Sequence, residues 1–203
     1  MKIICVGRNY AEHAKELNNP VNDNPVIFLK PETAQLQRRQ PFFLPDFSSE
    51  IHHEAEIVVK ICKLGKNIQE KFAHKYYEEV SIGIDFTARD LQASLKAKGL
   101  PWELAKAFDA SAPVGEFIPK SELESVGNIV FSLKKNGELV QSGTTADMIF
   151  SIDHIISFVS RYFTLKKGDL IFTGTPKGVG PVTKGDILEG YIGEKHLLTV
   201  KIR

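Results

Sequence analysis

Short apolar runs, each bounded by turn-forming or charged residues, recur along the whole chain. Isoleucine, valine and phenylalanine are frequent in these runs, and such side chains favour β-strands. Strands are therefore predicted over residues 2–6, 26–29, 80–85 and 170–173, with three more, separated by glycines, over residues 186–202. Runs of this length between turn residues are typical of a sheet built from many short strands.

Two further patterns complete the predicted elements. Asn136-Gly137 separates the segments 129–134 and 138–142, and Asn-Gly in such a place is the strongest short signal for a β-hairpin. Helices are predicted over residues 9–17, 87–98 and 151–163, the last from apolar residues at helical spacing. Many short strands with few helices indicate an α+β fold that is mostly β.

The strand predicted over residues 51–62 carries charge on one of its faces. Side chains alternate between the two faces of a strand, so one face receives His52, Glu54, Glu56 and Val58. Two neighbouring carboxylates repel each other unless positive charge lies between them, and a hard divalent cation is the simplest candidate. A solvated polar face on an edge strand would give the same pattern, and this segment alone does not decide between the two.

Asp85 ends an apolar strand and directly precedes the start of a helix. An aspartate in that place can cap a helix N-terminus, as Thr87 could also do. Combined with Glu54 and Glu56, it would instead provide a third oxygen ligand. Three carboxylates, with water completing the coordination shell, suit Mg²⁺ or Mn²⁺ better than Zn²⁺, which prefers nitrogen and sulfur ligands.

Polar residues on the next helix and just after it could contact a substrate. Arg89 could bind an anionic group through two hydrogen bonds, or it could form an ion pair with Asp90 that contributes little. Gln92 lies one turn beyond Arg89. Lys106 lies among small and aromatic residues, where its ammonium could donate to a developing oxyanion. A lysine that covers the surface with its stem is the alternative.

The predicted N-terminal helix places His13 and Glu16 on one face, because the two residues are three positions apart. An imidazole paired with a carboxylate is a general-base arrangement, although surface helices also carry such pairs by chance. Asn9 is a candidate cap for this helix, and Arg8 could shape the entrance to the same site.

A loop rich in glycine, threonine and proline runs from Phe172 to Pro181 and contains Thr175. The backbone N–H groups of such a loop can approach a carboxylate or a phosphate closely. A wide turn between strands is the alternative. The loop does not have the spacing of a Walker A motif.

Composition narrows the class of protein. The 203 residues, of which 42% are apolar, are enough for one domain over 1–203, and a formal net charge of +1 gives no sign of nucleic-acid or anionic-membrane binding. No apolar run is long enough to cross a bilayer, and no secretory signal is expected. The two cysteines, Cys5 and Cys62, are interpreted as free thiols in a reducing compartment, so a cytoplasmic location is expected.

Seven stretches, in order and spanning nearly the whole chain, resemble the fumarylacetoacetate hydrolase superfamily, C-terminal-domain type. They are GRNYAEHAKEL (7–17), FLKPET (28–33), IHHEAEIVV (51–59), GIDFTARDLQ (83–92), GLPWELAKAFDASAPVG (99–115), TTADMIFSI (144–152) and FTGTPKGVGPV (172–182). The resemblance is closest to the compact acylpyruvase and oxaloacetate decarboxylase branch. It implies a mixed β-sandwich or β-roll with short peripheral helices, usually as a homodimer.

The resemblance also implies roles for individual residues of this chain. The implied metal ligands, usually for Mg²⁺ although the ligand set also serves Mn²⁺, are Glu54, Glu56 and Asp85. The implied substrate contacts are Arg89, Gln92, Lys106 and Thr175. In the acylpyruvase branch a His–Glu dyad is implied as well, and it falls on His13 and Glu16. The first helix would then act as a lid, with Gly7 as its hinge.

The activity expected from these features is cation-dependent chemistry on a 2-oxo acid, by C–C bond cleavage through an enolate that the cation stabilises. Acylpyruvate hydrolysis and oxaloacetate decarboxylation are the two forms of that cleavage. The same enolate would serve a tautomerase or isomerase of oxaloacetate or of a 2-hydroxy-dienedioate. A binding protein for 2-oxo acids without catalytic activity is the remaining alternative.

Overall fold

The computed structural model describes residues 1–12 and 23–203. Its strands within these residues are β1 (Ile3–Val6), β2 (Ile27–Lys30), β3 (Ile51–His53), β4 (Ala55–Ile61), β5 (Tyr77–Ile84), β6 (Thr87–Ala88), β7 (Ile118–Pro119), β8 (Val130–Lys135), β9 (Glu138–Thr144), β10 (Leu170–Phe172), β11 (Gly180–Pro181), β12 (Ile187–Ile192) and β13 (Lys195–Lys201). Within the described residues, the α-helices of four residues or more are α1 (Glu70–Ala73), α2 (Arg89–Ala97), α3 (Glu103–Lys106) and α4 (Ile152–Ser160). Short 3₁₀ turns cover Glu32–Ala34, Lys120–Glu122, Val126–Asn128 and Thr145–Asp147.

The strands of the described residues form three sheets. The largest has the order β2-β1-β10-β4-β5-β7, a second has β11-β3-β6, and a third has β13-β12-β8-β9. Strands β1 and β10 pair in parallel, and the other neighbours pair antiparallel. The hairpin predicted around Asn136-Gly137 is confirmed as β8–β9, and both turn residues have positive φ angles, as a tight hairpin turn requires.

The largest sheet is buried on both of its faces. In β1, Ile4 and Val6 belong to the main core with the inner faces of β8, β12 and α4, whereas Ile3 and Cys5 belong to a second cluster with Val58 and Phe172. A strand covered on both sides has no solvent-facing positions, so its sequence is apolar without alternation. This explains the continuous apolar runs, and it places any charged residue on these strands inside the protein.

The fold class predicted from the sequence, α+β and mostly β with short helices, is confirmed. Some element limits were wrong. The strand over 51–62 is interrupted at Glu54, the helix after Asp85 begins only at Arg89 because Thr87 and Ala88 pair with β3, and the segment 186–202 forms two strands rather than three. Of the predicted helix over 9–17, residues 9 and 10 are not helical, because Tyr10 forms a β-bridge with Met148. Residues 11 and 12 are helical, and residues 13–17 lie outside the described residues.

The sequence predicts free cysteines and no membrane-spanning segment. Cys5 and Cys62 are both free, with Cys5 buried and Cys62 only partly buried. Among the described residues, the structure contains no helix with the length and apolar character needed to cross a bilayer.

Candidate metal and active site

Pairing between β4 and β5 brings the three predicted carboxylates together. The register places Ala55 opposite Ile84, and the backbone N–H of Asp85 donates to the Glu54 carbonyl at 2.8 Å, so the ladder continues across these two acids. Glu56 lies two positions further along β4 and therefore on the same face as Glu54. Ligand atoms of Glu54, Glu56 and Asp85 all lie within 4.8 Å of one another. Asp85 caps no helix, so that alternative for it was wrong.

The cluster is a buried one rather than a solvated face. The relative exposures of Glu54, Glu56 and Asp85 are 5%, 1% and 1%. The Oδ1 atom of Asp85 accepts no hydrogen bond among the described residues, although the Lys30 ammonium lies 2.7 Å away as an ion-pair partner. A buried set of three carboxylates fits a hard divalent cation, whose preferred ligands are such oxygens. The alternative of an exposed edge strand is thereby excluded.

Positive side chains oppose most of this negative charge. Lys106 Nζ lies 2.7 Å from both Glu54 Oε2 and Asp85 Oδ2, and Arg89 Nη2 lies 2.6 Å from Glu54 Oε1. Lys30, fully buried, pairs with the other oxygen of Asp85. Buried charges are tolerated in proteins when they are paired in this way.

Lys106 is not a surface lysine. Burial alone would lower its pKa, but the carboxylates of Asp85 and Glu54 outweigh burial and raise the pKa of Lys106 above its usual value. The ammonium therefore stays charged at neutral pH, as the role of a donor to an oxyanion requires. That role itself stays a prediction, because the structure shows Lys106 bound to the two carboxylates.

Lys30 contributes to the site although the sequence interpretation assigned it no role. Its ammonium reaches Asp85 and also donates to the Ser111 hydroxyl at 2.9 Å and the Ser111 carbonyl at 3.1 Å. A signal was present in the sequence, because Lys30 lies two positions after Phe28 and so shares its face of β2. A lysine on a core-facing position indicates a buried partner of opposite charge.

Glu56 differs from the other two acids. Its Oε2 atom accepts a hydrogen bond from the Gly174 backbone N–H at 2.7 Å, and among the described residues no lysine or arginine forms an ion pair with it. Burial, followed by repulsion from Asp85 and Glu54, raises the pKa of Glu56 well above the ordinary range. A bound cation would offset the repulsion between Glu56 and the other two acids, because it supplies a positive charge beside Glu56.

The loop containing Thr175 lies beside the carboxylate cluster, and its predicted contact with substrate stays a prediction. Gly174 has a φ angle of 101°, which favours glycine, and a Cβ atom there would lie 2.6 Å from the Cβ of Asn9. Asn9 holds the loop through a hydrogen bond from its amide to the Thr173 carbonyl at 2.7 Å. Its amide also donates to the Phe150 carbonyl and its Oδ1 accepts from the Phe150 backbone N–H, so among the described residues Asn9 ties two segments together.

The structure places the other predicted residues as follows. Arg89 donates to the Gln92 side chain at 2.6 Å, so both belong to the site through Glu54. Arg8 lies over the ring of Trp102, 5.9 Å from its centroid, and the described residues include no ion pair between Arg8 and the carboxylates. His13 and Glu16 lie outside the described residues, so their roles stay predictions.

Glu56→Gln is expected to weaken Mn²⁺ binding by at least about 100-fold, because losing a direct ligand costs more than the about 10–100-fold lost with an outer-shell partner. Calorimetric titration of Mn²⁺ measures this affinity. Glu194→Gln, at an exposed turn between β12 and β13, is the matched control and should bind Mn²⁺ like the wild type. Equal affinity in the Glu56 variant would remove Glu56 from the ligand set.

The same variant tests the repulsion within the metal-free protein. A carboxyl with a raised pKa binds more protons in the folded state than in the unfolded state. The free energy of unfolding therefore falls as pH rises from the ordinary glutamate pKa of about 4.3 to the raised pKa of the folded state. Above that raised pKa the lost stability is not regained. Glu56→Gln should abolish this part of the pH dependence. Urea unfolding with a chelator at about pH 4 and about pH 8 would show it as a smaller fall in stability.

Taken together, a buried cluster of carboxylates opposed by lysine and arginine on a mostly β scaffold defines a class of protein: one with a site able to hold a divalent cation and bind a small anionic molecule. The family described as "Fumarylacetoacetate (FAA) hydrolase C-terminal" matches residues 2–202 of this chain. The chain belongs to the fumarylacetoacetate hydrolase family, as its motifs indicated.

Individual relatives match over nearly the full length. Oxaloacetate tautomerase FAHD1, mitochondrial, from Mus musculus is 48% identical over 201 residues, which cover 99% of this chain and 91% of that protein. The mitochondrial oxaloacetate decarboxylase of Dictyostelium discoideum is 43% identical over 189 residues, covering 93% of this chain and 87% of that protein. Fumarylpyruvate hydrolase from Pseudomonas aeruginosa, solved with Mn²⁺ and pyruvate, has a TM-score of 0.93 at 37% identity and covers 100% of this chain and 89% of that one. This chain is accordingly an enzyme of the family.

Proposed function

We propose that the protein is a divalent-cation-dependent enzyme that interconverts the keto and enol forms of oxaloacetate or of a closely related 2-oxo acid. The observation that carries this proposal is the buried cluster of Glu54, Glu56 and Asp85, whose oxygens lie within 4.8 Å of one another. The tautomerase relative, at 48% identity, supports the choice among the activities that such a site could serve.

A divalent cation held by the three carboxylates would supply Lewis acidity to the carboxylate and keto oxygens of a 2-oxo acid, and so favour formation of the enolate. Lys106 and Arg89 keep positive charge next to that position. The Arg89 guanidinium, which also donates to Gln92, can exchange that neutral partner for a substrate carboxylate, since a charged acceptor forms the stronger bond. The burial of all three acids keeps bulk water away from the reacting atoms.

Tautomerisation needs a proton to leave C3 of the keto acid and a proton to arrive at the oxygen on C2. No C–C bond breaks, and the electron pair of the C3–H bond becomes the C2–C3 double bond of the enol. We propose His13, supported by Glu16, as the base that accepts the C3 proton. A neutral imidazole next to a carboxylate is suited to this step at neutral pH.

C–C bond cleavage is the second candidate. It is favoured by the oxaloacetate decarboxylase from Dictyostelium discoideum and by the structural match to fumarylpyruvate hydrolase. Cleavage and tautomerisation would use the same enolate, so they differ in whether a bond at C3 breaks. We propose Mg²⁺ or Mn²⁺ as the cation, since both take carboxylate oxygens, and a homodimer as the assembly.

The test of the proposed function is a set of assays on metal-stripped protein with Mg²⁺ or Mn²⁺ added back. Loss of enol absorbance reports oxaloacetate tautomerisation, pyruvate formation reports decarboxylation, and acetylpyruvate disappearance reports hydrolysis. We expect cation-dependent tautomerisation to be the fastest of the three. The absence of turnover with all three substrates and both cations would instead favour a 2-oxo acid binding protein without activity.

A further inference from the structure

Behind the loop that carries Thr175 lies a buried glutamine to which neither the sequence nor the proposed function assigned a role. Gln141 belongs to β9, and its relative exposure is 2%. Its side-chain amide reaches out of the third sheet towards the carboxylate cluster. There it contacts the start of β4, the His53 ring and the loop after β10. A buried amide whose donors and acceptors all have hydrogen-bond partners holds the groups around it in fixed positions.

Two backbone groups determine which way round this amide lies. The N–H of Ala55 donates to Gln141 Oε1 at 2.9 Å, and Gln141 Nε2 donates to the Pro176 carbonyl at 3.1 Å. A flipped amide would set a donor against the Ala55 N–H and an acceptor against the Pro176 carbonyl. Both contacts would then be repulsive, so only one orientation is compatible with the backbone.

This orientation determines which hydrogen-bonding role the Thr175 hydroxyl has towards Gln141. Gln141 Nε2 also lies 2.9 Å from Thr175 Oγ1, and because the amide nitrogen can only donate, the hydroxyl oxygen must accept. Within the described residues, the only acceptor offered to the hydroxyl hydrogen is the Pro176 carbonyl at a long 3.5 Å. The Thr175 O–H is therefore committed to donate, and it has no short acceptor in the protein parts described.

His53 supports the same amide from its other side. Its Nδ1 atom lies 2.9 Å from Gln141 Oε1, which already accepts from Ala55, so Nδ1 must carry the hydrogen. The amide oxygen thus has two donors, and the amide nitrogen has two acceptors, which leaves the side chain no freedom to rotate.

We propose that Gln141 is a positioning residue that fixes the Thr175 hydroxyl as a hydrogen-bond donor towards the carboxylate of the bound 2-oxo acid. This inference rests on the proposed function, because it takes Thr175 as a substrate contact. A Thr175 hydroxyl held in this way would favour ligands that place an acceptor oxygen next to it. It also explains why a residue of the third sheet reaches into a site built on the first.

The test is oxalate binding to Mn²⁺-loaded protein, measured by calorimetry. Oxalate mimics the planar enolate and presents carboxylate oxygens. Thr175→Val should weaken oxalate binding about 10-fold, the effect of one hydrogen bond to a charged group. Gln141→Met should cost about 3–10-fold, because the Pro176 carbonyl loses its Gln141 donor and then competes with the ligand for the Thr175 hydrogen. Gln141→Glu should cost more than Gln141→Met, because its carboxylate would draw the Thr175 hydrogen away from the ligand.

The double variant separates positioning from simple destabilisation. In a Thr175→Val background, Gln141→Met should cost oxalate affinity no further, because its effect acts through the missing hydroxyl. Gln69→Met makes the same chemical change at an exposed glutamine whose side chain makes no cap bond, and it should leave oxalate binding unchanged. Additive losses in the double variant, or wild-type affinity in both Gln141 variants, would overturn the proposal.

A second measurement needs no change at Gln141, in case its variants do not fold. The samples carry ¹⁵N-labelled glutamine side chains and diamagnetic Mg²⁺. In the wild type, the Gln141 amide resonances should shift when oxalate is added. In Thr175→Val without oxalate, they should shift relative to the wild type. Unmoved resonances in both cases would refute the coupling. If the wild type with Mn²⁺ binds no oxalate at all, the proposed function fails, whereas wild-type binding with unaffected Gln141 variants refutes only this inference.

Discussion

Asp85→Asn is expected to lower the free energy of unfolding of the metal-free protein by about 3–5 kcal/mol, the usual cost of removing one partner from a buried ion pair. Asp85 pairs with Lys30 through one oxygen and with Lys106 through the other. Lys106 keeps Glu54 as a partner, but the described residues offer Lys30 no other carboxylate. A buried ammonium without a counter-charge is what makes the loss large.

Urea unfolding in the presence of a chelator measures this effect. Asp46→Asn, at an exposed position, is the matched control and should change stability by no more than about 0.5 kcal/mol. The double variant Lys30→Met/Asp85→Asn should recover part of the loss, because it removes the unpaired charge. Stability of Asp85→Asn within about 1 kcal/mol of the wild type would show that the Lys30 charge is solvated or relocated.

His13→Ala is expected to reduce tautomerase turnover by about 10²–10⁴-fold, the usual contribution of a general base. Oxalate binding should change little, because oxalate needs the cation and Arg89 rather than a base. Decarboxylation should be less affected than acylpyruvate hydrolysis, since it requires no activated water. Steady-state kinetics on each substrate, with oxalate inhibition of the same preparations, measure all three quantities.

His74→Ala serves as the control for this variant, because His74 is exposed and lies next to α1. It should keep wild-type turnover. Should turnover survive in His13→Ala while oxalate binding falls, His13 would be a substrate-binding residue rather than a base. The pair of readouts therefore also shows whether the enzyme is built for proton transfer or for hydrolysis.

The sequence predicted the carboxylate cluster for a reason that the structure makes clear. Period-two alternation predicted Glu54 and Glu56 on one face, and the structure has them on one face even though the strand is interrupted at Glu54. Asp85 could not be placed from the sequence alone, because its position depends on the register between β4 and β5, in which Ala55 lies opposite Ile84. Register is a long-range property, and here the family motifs supplied what periodicity could not.

Lys30 and Gln141 show where sequence reasoning stopped. Lys30 had a recognisable signal, a lysine on a core-facing position of a strand, but it was interpreted only as part of a motif. Gln141 had none: it lies in a predicted hairpin between Val140 and Ser142, and one polar residue on a hairpin strand is ordinary. Its importance comes from partners that are far away in the chain, Ala55 and Thr175.

The division of the site between sheet and loops has a consequence for how this enzyme can diversify. The three acids lie on or beside paired strands, and buried lysines hold Glu54 and Asp85, so these positions tolerate little change. Arg89 and Thr175 belong to a helix and a loop at the border of that frame. On the proposed function, substitutions in these outer segments would alter substrate choice while the strands that carry the three carboxylates stay unchanged. One inherited reaction centre can in this way evolve towards tautomerisation, decarboxylation or hydrolysis, the three activities that its relatives carry in their names.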